Sequence, residues 1–299
     1  MKVSILGVQP GTVTEGMTNS EYFNKQLDLV RKDYNGESLV VFPELMTGIY
    51  FGYVREKRWF EYAENFFTGP TTTAMLELCR ELGTNICYSL FEKGDDGAYY
   101  NTLGLVSPIR GLIGKYRKIH LPGGDLRYNE CYEKYYFASG KQMPVLDLDN
   151  GIKVAMMTCY DRSFPELWRS YYLRGAEIIC VPACTMGLRK DMFIAELQTR
   201  ALESHSYVIA LNRAGEEKTE NEEKPRVHFG KTLIIDPLGN IVKALNDEQW
   251  VTLSAEIDTD NIKYARARLN WERDRHPELY GIVSDVNYAR EGLIFERGF

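Results

Sequence analysis

Short apolar stretches alternate with longer amphipathic stretches along most of the chain. Runs of strand length and apolar character lie at residues 3–8, 38–42, 86–91, 99–106, 112–116, 145–148, 152–157, 177–182, 207–211, 231–236, 241–244 and 251–257. Apolar residues at helical spacing predict helices after Thr18, from Pro70 to Leu82, at residues 164–174 and 190–205, and after Asp258. This alternation predicts an α/β fold in which helices cover sheets, built as a single domain.

The end of the chain departs from this pattern. From Trp271 onward the periodicity is weak, but the residues are rich in aromatics, so we expect the tail to pack on something. We therefore predict a domain at residues 1–270 and a C-terminal tail at residues 271–299. The charged run at residues 216–224 predicts a solvated loop.

Composition narrows the class of protein. The chain has 299 residues, 44% of them hydrophobic and 26% charged, with a net charge of −6, which gives no electrostatic footprint for nucleic acid or for an anionic membrane. No apolar run approaches the roughly 20 residues of a membrane helix, and no signal peptide is visible, so we expect a cytoplasmic protein. The six cysteines are expected to be free thiols, and the four histidines show no zinc-ligand spacing. No metal or organic cofactor is predicted.

One cysteine lies at a position that suits a reactive thiol. Cys159 follows the apolar run at 152–157 and precedes a predicted helix, where Ser163 and Glu166 have the spacing of a capping box and Pro165 suits the first turn. Backbone N–H groups and the positive end of a helix dipole favour a thiolate and an oxyanion there. On this stretch alone, however, a buried structural cysteine is the favoured interpretation.

Three charged residues stand near strand ends or in an apolar run, as candidates to act with Cys159. Glu44 follows the strand at 38–42, Lys118 follows the strand at 112–116, and Glu133 lies in an aromatic run. Each alone has an ordinary explanation: a helix cap, a surface cation and a partner of a neighbouring lysine. Together they supply a nucleophile, a base and an oxyanion donor, to which the backbone N–H of Tyr160 is added. This set predicts hydrolysis of an amide-type bond through a covalent acyl-enzyme.

Three sequence blocks carry a family resemblance. They are Pro43-Glu44-Leu45 with Thr47-Gly48, Lys115-Tyr116-Arg117-Lys118-Ile119-His120-Leu121-Pro122, and Thr158-Cys159-Tyr160-Asp161-Arg162 with Phe164-Pro165-Glu166. In order and separation they resemble the signature blocks of the nitrilase superfamily of carbon–nitrogen hydrolases. The resemblance implies an α-β-β-α sandwich that forms a homodimer or larger homo-oligomer, with the tail used in oligomer packing. It also implies that Glu44 is the general base, Lys118 the oxyanion stabiliser, Cys159 the nucleophile and Glu133 a second glutamate that orients substrate and lysine.

The residues after Cys159 bear on the branch of the family. Tyr160 and Asp161 resemble amidases and carbamoylases more than nitrilases. Arg162 resembles the arginine of N-carbamoyl-amino-acid amidohydrolases, where it can pair with a substrate carboxylate. A structural salt bridge from Arg162 to Asp161 or Glu166 is the alternative. Substrate-binding residues are expected to be Tyr160, Arg162, Tyr50 and Cys184.

The resulting prediction is a cysteine hydrolase of small amides or N-carbamoyl compounds, with N-carbamoyl amino acids favoured. Two other enzyme functions are weighed: an amidase without carboxylate specificity, and a nitrilase. Two other classes are a non-catalytic scaffold and a thiol-redox protein, suggested by the proximity of Cys180 and Cys184 in the sequence.

Overall fold

A computed structural model of the chain describes residues 1–123, 131–187, 190–220, 222 and 225–285. Its strands are β1 Lys2–Gln9, β2 Leu39–Val41, β3 Asn85–Lys93, β4 Tyr99–Ser107, β5 Gly111–Arg117, β6 Val145–Asp147, β7 Lys153–Met156, β8 Ile178–Pro182, β9 Tyr207–Leu211, β10 Ala214–Glu217, β11 Arg226–Phe229, β12 Leu233–Ile235, β13 Ile241–Ala244 and β14 Val251–Asp258. Its helices are α1 Asn19–Asp33, α2 Pro70–Leu82, α3 Glu133–Tyr136, α4 Pro165–Leu173, α5 Lys190–Ser204, α6 Asp260–Arg268, α7 Trp271–Asp274 and α8 Gly281–Ser284. The strands and helices predicted from periodicity are confirmed.

The strands form two six-stranded sheets and a separate two-stranded ribbon of β10 and β11. The first sheet has the order β14-β1-β2-β3-β4-β5, and the second has the order β13-β12-β9-β8-β7-β6. In each sheet three neighbouring strands run parallel, β1-β2-β3 in the first and β7-β8-β9 in the second, while the other pairs are antiparallel.

The two sheets pack face to face, and helices cover their outer faces. Along β1, Val3 and Ile5 belong to the core shared with the second sheet, whereas Leu6 and Val8 belong to the core shared with α1 and α2. This alternation follows from the two-residue period of a strand. The outer face of the second sheet is covered by α4 and α5, which contribute buried side chains such as Trp168 to the core. The layers therefore form the predicted α-β-β-α sandwich.

Two helix starts have capping-box spacing in the sequence, and only the first forms the box. Thr18 and Glu21 have the sequence spacing of a capping box, and the structure shows that capping box at the start of α1. The capping box predicted for Ser163 and Glu166 is wrong, because α4 is preceded by Phe164, which makes no side-chain capping bond. The reason is that residues Cys159–Ser163 form a 3-10 turn first.

The charged run at 216–224 is only partly a solvated loop. Glu217 belongs to β10 and is buried, because the buried guanidinium of Arg213 offers it an ionic partner. The periodicity of charges along the sequence cannot reveal such a partner.

The chain divides into two compact units, at residues 1–265 and 266–299. The first contains both sheets. Within the second, the described residues form short helical segments, and the aromatic residues Tyr288, Phe295 and Phe299 lie outside the described part of the chain. How the tail packs stays a prediction. Among the described residues, none of the helices has the length and apolar character needed to cross a membrane.

Candidate active site

The predicted site residues stand where strands end. Glu44 lies just beyond β2, Lys118 directly follows β5, and Cys159 lies just beyond β7, while Glu133 is the first residue of α3. The Lys118 backbone is fixed on both sides: its N–H donates to Asn101 O at 2.9 Å, and its carbonyl accepts from Gly140 N–H at 2.8 Å. The lysine side chain therefore starts from a well-anchored point.

The ammonium of Lys118 lies between two buried carboxylates. Nζ is 2.9 Å from Glu44 Oε1 and 2.8 Å from Glu133, and the three side chains are at most 1% exposed. Burial alone would lower the pKa of Lys118, but the charges of Glu133 and Glu44 outweigh it and raise that pKa well above its ordinary value. The structure thus brings together three of the four predicted catalytic residues, with the lysine ammonium between the two carboxylates.

Only one oxygen of the Glu44 carboxylate is held. Oε1 accepts from Asn101 Nδ2 at 2.7 Å and from Lys118, whereas Oε2 is buried with no hydrogen-bond partner among the described residues. A buried acceptor without a partner is costly, so Oε2 retains the capacity to accept a hydrogen bond or a proton from a bound group. Sequence reasoning missed Asn101; the available signal was an asparagine inside the apolar strand β4.

The carboxylate of Glu133 is hydrogen-bonded to the side chain of Tyr50. The Tyr50 hydroxyl donates to Glu133 Oε1 at 2.5 Å. Burial, together with the negative charge of Glu44, raises the pKa of Glu133 to about 7, although Lys118 lowers it. The pKa of Glu133 is raised because a single lysine charge faces two buried carboxylates and balances each of them only in part. Tyr50, predicted to bind substrate, therefore contacts the second glutamate of the set.

Cys159 sits in a strained turn and carries a weakly acidic thiol. Its φ of 48° lies in the left-handed region that non-glycine residues rarely adopt. Burial and the charge of Glu44 raise the pKa of Cys159 to about 11, while Lys118 and Arg162 act in the opposite direction. At neutral pH the thiol is protonated, so attack on a substrate requires a base.

Arg162 is engaged within the protein. Nε is 3.0 Å from Glu196 Oε2, and Nη1 donates to Cys159 O at 2.8 Å and lies 3.7 Å from Cys159 Sγ. Arg162 thus forms a structural salt bridge, as the alternative interpretation expected. Its partner is Glu196, however, so the predicted partners Asp161 and Glu166 are wrong. The reason is that Asp161, the nearer carboxylate in sequence, already accepts hydrogen bonds from other groups.

Asp161 joins the lysine strand to the cysteine turn. Its Oδ2 accepts from the Tyr116 hydroxyl at 2.6 Å and from Thr158 N–H at 3.0 Å. Its Oδ1 lies 2.8 Å from both the backbone N and the ring Nδ1 of His120. Tyr116 and His120 flank the lysine by two residues on either side, and Thr158 precedes the cysteine. One buried carboxylate therefore fixes Lys118 and Cys159 relative to each other.

Tyr160 and Cys184, the other predicted substrate-binding residues, lie at the edge of this set. Tyr160 is partly exposed and packs edge-on against Phe164, with ring centroids 5.3 Å apart. Cys184 is 2% exposed, and burial raises its pKa well above the ordinary value; the charges of Glu44 and Cys159 also act on it. All six cysteines are free.

An aromatic cluster forms the apolar surroundings of the site. Its buried aromatic members are Tyr50, Phe51, Trp59, Phe91, Tyr136 and Phe137, and Cys184 is buried in the same cluster. Apolar walls strengthen electrostatic interactions between the buried charges. No group of three or more His, Cys, Asp or Glu side chains in the described ranges is arranged to hold a metal ion.

Comparisons with known proteins agree on a family. A model of the carbon–nitrogen hydrolase family matches residues 2–267. The chain is 31% identical over 265 residues to N-carbamoylputrescine amidase of Arabidopsis thaliana, covering 85% of this chain and 87% of that protein. It is 35% identical over 248 residues to a nitrilase of Pyrococcus abyssi, covering 82% and 87%. The structure superposes on a carbon–nitrogen hydrolase from Helicobacter pylori G27 with a TM-score of 0.87 at 23% identity, covering 96% and 99%.

Proposed function

The chain belongs to the carbon–nitrogen hydrolase family, and on that premise we propose that it cleaves a C–N bond of a small amide or N-carbamoyl compound through a covalent intermediate on Cys159. The observation that carries the proposal is the Lys118 ammonium held between the buried carboxylates of Glu44 and Glu133, with the Cys159 thiol within their electrostatic reach. This arrangement combines a base, a cation and a nucleophile in one apolar enclosure.

The first half-reaction uses Glu44 as the proton carrier. Its carboxylate, with one oxygen unbonded, takes the proton of the Cys159 thiol, and sulfur attacks the substrate carbonyl carbon. The developing oxyanion is stabilised by the Lys118 ammonium and the backbone N–H of Tyr160. When the C–N bond breaks, Glu44 returns the proton to the departing nitrogen, which leaves as ammonia from a primary amide or terminal carbamoyl group.

The second half-reaction restores the thiol. Glu44 takes a proton from water, the hydroxide attacks the acyl carbon, and sulfur leaves and regains a proton. An amide yields a carboxylic acid; a carbamoyl compound yields a carbamic acid, which decomposes to an amine and CO2. Glu133 does not exchange this proton: together with Tyr50 it orients the ammonium of Lys118.

For the substrate, we propose a carbamoyl compound whose far end needs no carboxylate clamp. The guanidinium of Arg162 is buried and occupied by Glu196 and by the carbonyl of Cys159, so a substrate carboxylate would have to displace Glu196. Relatives at about 30% identity are named N-carbamoylputrescine amidases, and that compound ends in an amine. N-carbamoyl amino acids are the second candidate, favoured by the nearness of Arg162 to the nucleophile.

The test is ammonia release from two matched compounds, N-carbamoylputrescine and N-carbamoyl-5-aminovalerate, which differ only in a terminal amine or carboxylate. Pentanamide and pentanenitrile complete the panel, and Cys159→Ala is the blank. Preferred turnover of the amine supports the proposal. Preferred turnover of the carboxylate, lost in Arg162→Gln, would reinstate the clamp. Turnover of the nitrile alone, or of nothing, would contradict the proposed reaction.

We also propose that the chain acts as a homodimer or larger homo-oligomer, with the aromatic tail from Trp271 in the packing. Light scattering after size exclusion of the full chain and of a chain ending at residue 270 tests this. Loss of association in the shortened chain is expected, and a monomeric full chain would contradict the proposal.

A further inference from the structure

A second buried pair of charges lies beside the candidate site and has no part in the reaction proposed above. Arg213 is 0% exposed and Glu217 is 5% exposed, and Arg213 Nη1 lies 3.2 Å from Glu217 Oε1. Moving two charges out of water is costly unless further hydrogen bonds compensate them. The remaining contacts of both side chains therefore indicate what the pair holds.

Arg213 binds the backbone that follows Glu44. Its Nη2 donates to Leu45 O at 2.6 Å and to Glu44 O at 3.2 Å, and its Nη1 donates to Gly48 O at 2.7 Å. A planar guanidinium serves several carbonyls at once because its donors have a fixed fork geometry. A lysine ammonium at the same place lacks that geometry.

Glu217 binds the other end of the same segment. Its Oε2 accepts from Tyr50 N–H at 2.9 Å and lies 3.3 Å from His228 Nε2, while its Oε1 also accepts a longer bond from Val13 N–H at 3.4 Å. Burial alone would raise the pKa of Glu217, but Arg213 and His228 outweigh it and lower that pKa to about 2. The carboxylate is therefore charged at every pH at which the enzyme would be assayed.

The segment between these two anchors carries two groups of the candidate site. Glu44 begins it and contacts Lys118, and Tyr50 ends it and contacts Glu133. Leu45, immediately after the proposed base, has a φ of 45°. A leucine keeps this left-handed conformation only where its surroundings enforce it.

We propose that the Arg213–Glu217 pair is a positioning device: it holds the segment from Glu44 to Tyr50 so that both side chains meet Lys118 and Glu133 in the geometry that turnover needs. The inference rests on the proposed function. It differs from a purely structural role, in which the pair would stabilise the fold and leave the turnover of each folded molecule unchanged.

The experiment compares Glu217→Gln and Arg213→Lys with wild type, using the full chain. Activity is normalised to the concentration of folded protein, taken from the amplitude of its cooperative urea-unfolding transition, so misfolded molecules do not count. We expect kcat per site to fall about tenfold or more, with KM changing much less, because small displacements of a reacting group are costly. Glu37→Gln is the matched control: Glu37 is also buried and accepts a backbone N–H, from Asn35 at 2.7 Å, but does not touch this segment.

A second readout follows the proposed base directly. The pH dependence of Cys159 alkylation reports the charge of Glu44 beside the thiol, so displacement of Glu44 moves it towards lower pH, in the same direction as Glu44→Gln. A structural role would lower the melting temperature and leave this profile unchanged. If Glu217→Gln does not fold, Arg213→Lys alone is used for the test. This variant keeps both buried charges and removes only the planar set of guanidinium donors.

The outcomes separate the two proposals. Normal kcat per site and an unshifted alkylation profile in a folded variant, beside an active wild type, would overturn the positioning role alone. No turnover by the wild type on any compound of the panel would overturn the proposed function.

Discussion

Leu45 and Cys159 share the same unusual backbone conformation, with φ values of 45° and 48°. One follows the proposed base, and the other is the proposed nucleophile. Both lie where the chain leaves a central strand, β2 or β7, and turns sharply. The left-handed conformation costs an L-residue roughly 1–2 kcal/mol. Strain is thus stored directly after the proposed base and at the proposed nucleophile.

The first prediction concerns the strain at Cys159. Cys159→Gly is expected to be about 1 kcal/mol more stable towards urea unfolding than Cys159→Ala, because glycine adopts positive φ without a penalty. Cys180 in the interior of β8 is the control: it is also buried but extended, and there the glycine variant is expected to be the less stable one. The same order of stabilities at both positions would contradict the strain at Cys159.

The second prediction separates the acidity of the thiol from its reactivity. In Glu44→Gln, turnover is expected to fall about a thousandfold, because the proton carrier is lost. The pKa of Cys159 is expected to fall below its value of about 11, because the charge of Glu44 no longer opposes the thiolate. The pH dependence of thiolate absorbance in the far ultraviolet, compared with that of Cys159→Ala, measures the pKa of Cys159. Ammonia release measures the rate. A variant with a raised thiol pKa would refute this electrostatic account.

The third prediction concerns the buried cation. Lys118→Met leaves the carboxylates of Glu44 and Glu133 buried without their counter-charge, and we expect a loss of about 3–5 kcal/mol in the free energy of unfolding at pH 8. The loss should shrink at pH 5, where the uncompensated carboxyl of Glu133 takes up a proton. Lys115→Met is the control, because its partner Glu92 keeps Arg117. Equal losses in the two variants would speak against a special role for the buried cation.

The fourth prediction follows from the raised pKa of Glu133. A carboxyl whose pKa is about 7 in the folded chain and about 4.5 when unfolded binds a proton more tightly in the fold. Its contribution is therefore fully present below about pH 4 and is lost as pH rises to about 7. Relative to Glu133→Gln, wild type should lose up to about 3 kcal/mol between pH 4.5 and 8, measured by urea unfolding. Parallel pH profiles would show that Glu133 is ionised throughout.

The sequence predicts local features well because they depend on neighbouring residues. The apolar periods predicted the strands that end near Glu44, Lys118 and Cys159, and the family resemblance indicated these three side chains as candidates. It predicted Glu133 as well, which the structure places on Lys118. Glu44, Lys118 and Cys159 each lie just beyond the end of a strand, and the sequence predicts such positions from the apolar pattern.

What the sequence did not predict depends on contacts between distant segments. Arg162 pairs with Glu196, 34 positions away, rather than with a neighbouring carboxylate. Glu217 is buried because it meets Tyr50, 167 positions away, and a charged run gives no hint of that. Asn101 also reaches its partner across strands. Partner choice in a buried network is decided by packing, which residue spacing does not encode.

The central claim is a covalent intermediate on Cys159. Its most direct test is intact-protein mass spectrometry of the wild type, quenched in acid within the first turnovers on N-carbamoylputrescine, with Cys159→Ala beside it. We expect a transient mass increase equal to the substrate minus ammonia, located on Cys159 by peptide mapping and absent from the variant. Turnover in the variant at a rate near that of the wild type, or an adduct on another residue, would contradict it.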